Sequence, residues 1–211
     1  MITTTHVTIN GALSRLAGSD RGGPAARAVR WLLPDRATRR AILLGGFAPD
    51  VGLTILSAGA LVWFPIVERR SVQETFDHVY RDLFYEDAAW IIGHNTLHAP
   101  AVLVMLLLVG LRLRGPVGRW LAAFAVGCLL HSVVDIVTHH DDGPLLLFPF
   151  DWSTRFTSPV SYWDPAHGGR ILGPIDQAIT VLGGGWLTWT WWRRRRGGNG
   201  APSEVVPTDR G

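Results

Sequence analysis

The chain of 211 residues contains no lysine, a single cysteine, and only 18% charged residues. A soluble domain typically carries about 25% charge. Such low charge combined with ten Trp excludes a disordered chain. Lone Cys128 can form no internal disulfide. All basic residues are Arg, and they sit at segment ends rather than on one patch, so the net charge of +3 does not describe a nucleic-acid surface. No internal repeat, heptad array or low-complexity block is present, which excludes solenoids and coiled coils. Met1 to Ala17 is short and mixed, without the basic start and long apolar core of a signal peptide. What remains is a membrane protein, or a soluble helical bundle with an unusually apolar core.

Four apolar stretches are present: 41–66, 88–113, 117–138 and 171–192. Each approaches the ~20 residues that a membrane helix needs. The prediction is an all-α, multi-pass helical membrane bundle with about four transmembrane helices and an N-terminal amphipathic or short helix. Residues 1–40 read as a cytoplasmic or interfacial segment, with a loop or surface-lying helix at 18–40. Residues 41–192 read as the membrane domain, and 193–211 as a disordered basic and polar tail. Arg clusters precede the first stretch, fill the 112–119 link and follow the fourth stretch at Arg193 to Arg196. The positive-inside rule then puts both termini and the 112–119 link in the cytoplasm, and the loops 67–87 and 139–170 outside. Trp186, Trp189, Trp191 and Trp192 beside the Arg run read as an interfacial belt.

Ionisable side chains inside membrane helices are costly, so each is a functional candidate. His94 and His98 are four residues apart, as are His131 and Asp135, and His139 extends the second row by one turn. Residues at that spacing share a helix face. Both rows fall at the outer ends of their helices, where they can meet each other and His140, Asp141 and Asp142 of the following loop. Asp176 opens the fourth stretch on the same side. Imidazole and carboxylate together suit Zn, Mn or Fe, and facing helices commonly build such sites. His139 and His140 remain open between ligand, supporting residue and loop. His6, His78 and His167, taken singly, read as hydrogen-bonded or capping residues, and Asp141 and Asp142 also fit solvated loop acids. Asp50 follows Gly45-Gly46-Phe47-Ala48-Pro49, a helix-breaking run within the first stretch. It reads either as the N-cap of a second helix half or as a carboxylate reaching the cluster. As one straight span, 41–66 puts Asp50 deeper than the histidines. The aromatic, Pro-punctuated segments 143–152 and 158–164 either pack on helix ends or cover the site and meet a lipid-like substrate.

Several of these motifs together resemble the bacterial family of membrane-bound, metal-dependent hydrolases that includes the LexA-regulated, YdjM-like inner-membrane proteins. Thr5-His6 is similar to that family's early Thr-His, and Gly46 to Asp50 to its Gly-x-x-Pro-Asp element. His94 to His98 matches its His-x-x-x-His element. His131 to Asp135, trailed by Gly143-Pro144 and Phe148-Pro149, matches its His-x-x-x-Asp element and Pro-rich loop. The resemblance covers about 1–180, with a departure at 18–40. It also departs at Asn95 and Ala99-Pro100, where the family commonly has Arg and Ser. The resemblance implies phosphoester hydrolysis, adds Asp50 to the ligands and raises His6 as a further candidate.

The leading expectation is therefore an inner-membrane hydrolase acting on a phosphoester or lipid-like substrate through a metal-activated water. Asp50, His94, His98, His131, Asp135, His139 and His6 are the candidate ligands of a divalent metal, zinc first. Asp141 and Asp142 are the candidate catalytic acids. The expected partner is the lipid bilayer, and no nucleic acid. Rival readings are a di-iron redox protein, a b-type haem held by His98 and His131, and a non-enzymatic metal transporter or scaffold.

Overall fold

The computed structural model describes residues 2–17 and 23–198. Eleven α-helices follow one another among them: α1 (Thr3–Ala17), α2 (Pro24–Leu32), α3 (Arg36–Phe47), α4 (Pro49–Val67), α5 (Val72–Asp77), α6 (Phe84–Glu86), α7 (Ala88–Asn95), α8 (Pro100–Arg112), α9 (Pro116–Thr138), α10 (Gly169–Ala178) and α11 (Gly184–Gly198). Wider π-helical turns link α5 to α6 at His78–Leu83 and α10 to α11 at Ile179–Gly183. Among the described residues there is no strand, only an isolated antiparallel bridge between Leu145 and Arg155.

Helix α9 is the axis of the bundle, with α3 and α8 packed along it. Small residues allow this close approach. A Cβ built on Gly45 would lie 2.5 Å from the Phe124 carbonyl oxygen, and one on Gly127 would lie 2.5 Å from the Ile42 oxygen. Membrane helices associate through such small-residue contacts because lipid supplies no hydrophobic drive between them. Asn10 of α1 ties the pair together, donating from Nδ2 to the carbonyls of Ile42 (2.9 Å) and Gly127 (3.2 Å). A core of Ala17, Leu33, Ala41, Ile42 and Ala123 closes this end.

Two helices, α4 and α9, are long and apolar enough to cross a membrane. Helices α7 and α8, bent by 45° at the break between them, make a third candidate. The four predicted spans are therefore revised at three places. The stretch 41–66 is two helices, because Pro49 starts α4 at a position where its missing N–H is no loss. Asp50 thus opens a helix instead of lying midway along one. The stretch 88–113 breaks before Pro100, which holds Ala99 extended (φ −65°, ψ 121°). The stretch 171–192 is divided into α10, a π turn and α11, none of which alone reaches the length of a span.

The ends of the chain also differ from expectation. Helix α1 is not peripheral. It packs against α3, α9 and α11 and buries Thr5, His6, Thr8 and Asn10. Within 18–40 the structure forms α2, whose Trp31 is 77% exposed, and begins α3 on an Asp35–Thr38 capping box. Residues 18–22 lie outside the described residues. Helix α11 runs through Gly198, so residues 193–198 of the predicted disordered tail are helical. Arg193 lies over the Trp189 ring and Arg196 over Trp192, cation–π pairs at the four-residue spacing that supports a helix. The remainder of that tail, 199–211, is outside the described residues.

Candidate metal centre

The helix breaks bring four side chains to one point. Asp50 comes from the first turn of α4, His98 from the turn before α8, and His131 and Asp135 from successive turns of α9. One ligand atom from each lies within 4.8 Å of all the others. His98 Nε2 and His131 Nε2 are 3.0 Å apart. Asp50 Oδ1 is 3.4 Å from both nitrogens. Asp135 Oδ2 is 3.5 Å from His98 Nε2 and 3.0 Å from His131 Nε2.

The tautomers follow from the backbone. His98 Nδ1 donates to the His94 carbonyl at 2.7 Å, and His131 Nδ1 donates to the Gly46 carbonyl at 3.0 Å. A carbonyl accepts and cannot donate, so both protons are on Nδ1 and both Nε2 atoms turn inward. Two imidazole Nε2 atoms and two carboxylate oxygens then converge in a buried space, an arrangement that could hold a cation. A tetrahedral ion at ~2.0–2.1 Å from such ligands sets them about 3.3 Å apart. The five separations above fall close to that value. The donor set therefore fits one divalent ion of the Zn, Mn or Fe type. The 3.0 Å gap between the two Nε2 atoms leaves no room for a porphyrin held between these rings.

Both carboxylates are oriented by α1. Thr3 Oγ1 donates to Asp50 Oδ2 at 2.5 Å. His6 Nε2 lies 3.0 Å from Asp135 Oδ1, and its ring stacks on His131 with centroids 3.6 Å apart. Each acid thus has one oxygen fixed from outside and the other presented to the cluster, as supporting shells of metal sites do. Thr3 went unread in the sequence, although its three-residue spacing to His6 on a helix is a usable signal. Thr5, the quoted partner of His6, instead bonds the Asp176 carbonyl and Thr180. Ser132, also unread, donates to the His98 carbonyl and fixes that turn against α9.

The other candidates lie around this group. The His94 ring stacks on His98 at 4.3 Å between centroids, but among the described residues neither of its nitrogens has a hydrogen-bond partner. The α7–α8 break turns His98 away from the line of α7, so the four-residue spacing does not align the two rings on one ion. His94 acts on the cluster through its carbonyl. His139 Nε2 is 3.6 Å from Asp135 Oδ1, and its Nδ1 is 3.0 Å from Asp142 Oδ2. Asp142 Oδ2 also accepts from Trp163 Nε1 at 2.9 Å. His140 donates to the Ser158 carbonyl and stacks on His167. His78 pairs with Asp82.

A cavity of about 700 Å³ adjoins the group. His94, His139, Asp141 and Asp142 line one side, and Tyr80, Phe84, Tyr85, Tyr162 and Trp163 supply much of the rest. Part of the wall is the π-helical turn at His78–Leu83, which carries Tyr80 and Arg81. Burial, reinforced by Asp141 and Asp142, pushes the Tyr85 phenol up to about 12, so it is a neutral donor at pH 7. Burial also opposes ionisation of Asp142, but its bond to His139 prevails and holds the carboxyl below its ordinary value. The loop after α9 contributes Asp141, Asp142, Tyr162 and Trp163 to the lining. Its Leu145 and Phe148 pack on Ile91 and Ala99, and Leu145 N donates to Asn95 Oδ1 at 2.7 Å. The first half of this loop packs on helix ends, and Tyr162 and Trp163 line the cavity.

Comparison with curated proteins and with solved structures finds no match. A model of the YdjM inner membrane protein family matches residues 1–199, which takes in α1, both helix breaks, the His/Asp group and the cavity wall. The chain belongs to the YdjM inner membrane protein family.

Proposed function

We propose that this protein is a membrane-embedded, metal-dependent hydrolase that holds one divalent cation, zinc by preference, among Asp50, His98, His131 and Asp135. The observation that carries the reading is the convergence of two inward Nε2 atoms and two carboxylates beside a cavity of about 700 Å³. A cation bound there would lower the pKa of a water and polarise a scissile ester. The chain's own residues divide the remaining work. Asp142, tied through His139 to Asp135, and Asp141 on the same wall serve as proton acceptors. Tyr85, a neutral phenol on the cavity wall, would be available to donate a hydrogen bond to the substrate. The apolar and aromatic wall suits a phosphoester with a lipid-like body. By the positive-inside rule the Arg-rich end faces the cytoplasm and the cluster lies toward the outer face of the inner membrane. The start of α1, whose Thr3 bonds Asp50, then lies on the cluster's side, which revises the expected cytoplasmic N-terminus.

The test uses the full chain in detergent. Purified protein is expected to carry about one divalent ion per chain, consistent with a single four-ligand site, and to hydrolyse bis(p-nitrophenyl) phosphate or a short-chain phospholipid. His131→Ala removes metal and activity together. Asp142→Asn keeps the metal and slows turnover by about 10²–10⁴, the usual contribution of a general base. Wild-type protein that purifies without metal, and whose thermal unfolding ignores added zinc, would sink the reading.

A further inference from the structure

A second cavity lies away from the His/Asp group, between α1 and α11. Its volume is about 540 Å³, and its lining includes Arg15, Leu16, Trp186, Trp189, Thr190 and Arg193. Nine residues of α1 separate His6 from Arg15, about 14 Å along a helix, so the two sites are distinct.

Among the described residues the groove carries charge of one sign, and no acid of theirs lines it. In the described parts of 12–40, 110–120 and 186–198, Asp35 is the only acidic residue among many Arg. The two guanidinium groups are held in place. Arg15 Nη2 donates across the groove to the Leu187 carbonyl at 2.8 Å. Arg193 lies 4.8 Å from the centre of the Trp189 ring. Leu16, Trp186 and Trp189 leave apolar surface exposed at the rim, continuous along α11 with exposed Trp192.

We infer that this groove binds the headgroup of an anionic phospholipid, with Arg15 and Arg193 on the phosphate and the Trp rings at the level of the acyl esters. Planar guanidinium suits phosphate oxygens, and basic pockets between membrane helices recognise such headgroups. A free phosphate has the same charge but leaves Leu16, Trp186 and Trp189 in water. An acyl chain covers them. The site owes nothing to hydrolysis and stands or falls independently of the metal reading.

The experiment titrates the detergent-solubilised full chain with phosphatidylglycerol, phosphatidylcholine or inorganic phosphate, following lipid retention by native mass spectrometry and the thermal midpoint. Phosphatidylglycerol is expected to be retained and to raise the midpoint, and phosphatidylcholine to do neither. Arg193→Gln weakens phosphatidylglycerol retention roughly fivefold, the factor matching about 1 kcal/mol per basic residue at an anionic surface. Adding Arg15→Gln weakens it further. Arg119→Gln, at the same basic end but outside the groove, leaves it unchanged. If the double variant does not fold, Arg193→Gln alone decides. Equal retention of phosphatidylcholine, full retention by Arg193→Gln, or an equal rise with inorganic phosphate overturns the proposal.

Discussion

Asp50 and Asp135 each have a free choice of oxygen, and in both cases α1 makes it. Thr3 occupies Oδ2 of Asp50 and His6 meets Oδ1 of Asp135, leaving the opposite oxygens for the cluster. Loss of such a supporting bond typically weakens metal affinity by about 10–100-fold. Thr3→Val is therefore expected to lower zinc affinity by that factor at unchanged stoichiometry, measured by competition with a chelating dye. The histidines separate in the same way. His131→Ala removes an inward Nε2 and is expected to lose bound metal on elemental analysis. His94→Ala removes only a ring that has no bond to the group, so it retains metal. Equal loss in both variants would mean that the first histidine of the pair ligates after all. Asp50 shows what residue spacing left open. Its two readings were cap and ligand, yet the capping position is Ala48, which frees the Asp50 carboxylate for the cluster.

Breaks in helices, rather than helices, assemble the group. The step from α3 to α4 at Ala48 delivers Asp50, and the bend between α7 and α8 delivers His98. Pro49 and Pro100 mark such breaks because proline lacks the backbone donor that a continuing helix would use. They say nothing of the direction in which the chain leaves. That direction comes from packing, chiefly the contact of α3 with α9 through Gly45 and Gly127. Gly45→Ala would drive a methyl against the Phe124 and Cys128 backbone. Overpacking of this kind costs about 1–3 kcal/mol, and unfolding in detergent should show a loss in that range. A neutral result would mean that α3 and α9 slide apart easily, which is incompatible with a fixed Gly46–His131 bond.

The molecule has two unlike ends. Arg residues gather around the start of α3, the α8–α9 link and the end of α11, while Asp141, Asp142, Asp151 and Asp164 lie in the loop beyond α9. Cys128 is fully buried, so single introduced cysteines report sidedness without background. Thr157→Cys is expected to react with an impermeant maleimide in intact spheroplasts, and Arg114→Cys only after permeabilisation. The reverse pattern would invert the topology. Helical class, apolar stretches, the break at Pro49 and the Arg asymmetry were legible in the chain, because each is a local matter of side-chain chemistry, periodicity or backbone donors. His131 and Asp135 were legible as a pair for the same reason, being one turn apart on a single helix. Which of the candidate ligands share one ion, the demotion of the His94 ring and the inward place of α1 were not. Each depends on where one helix lies against another, and that is set by close contacts between residues far apart in the chain.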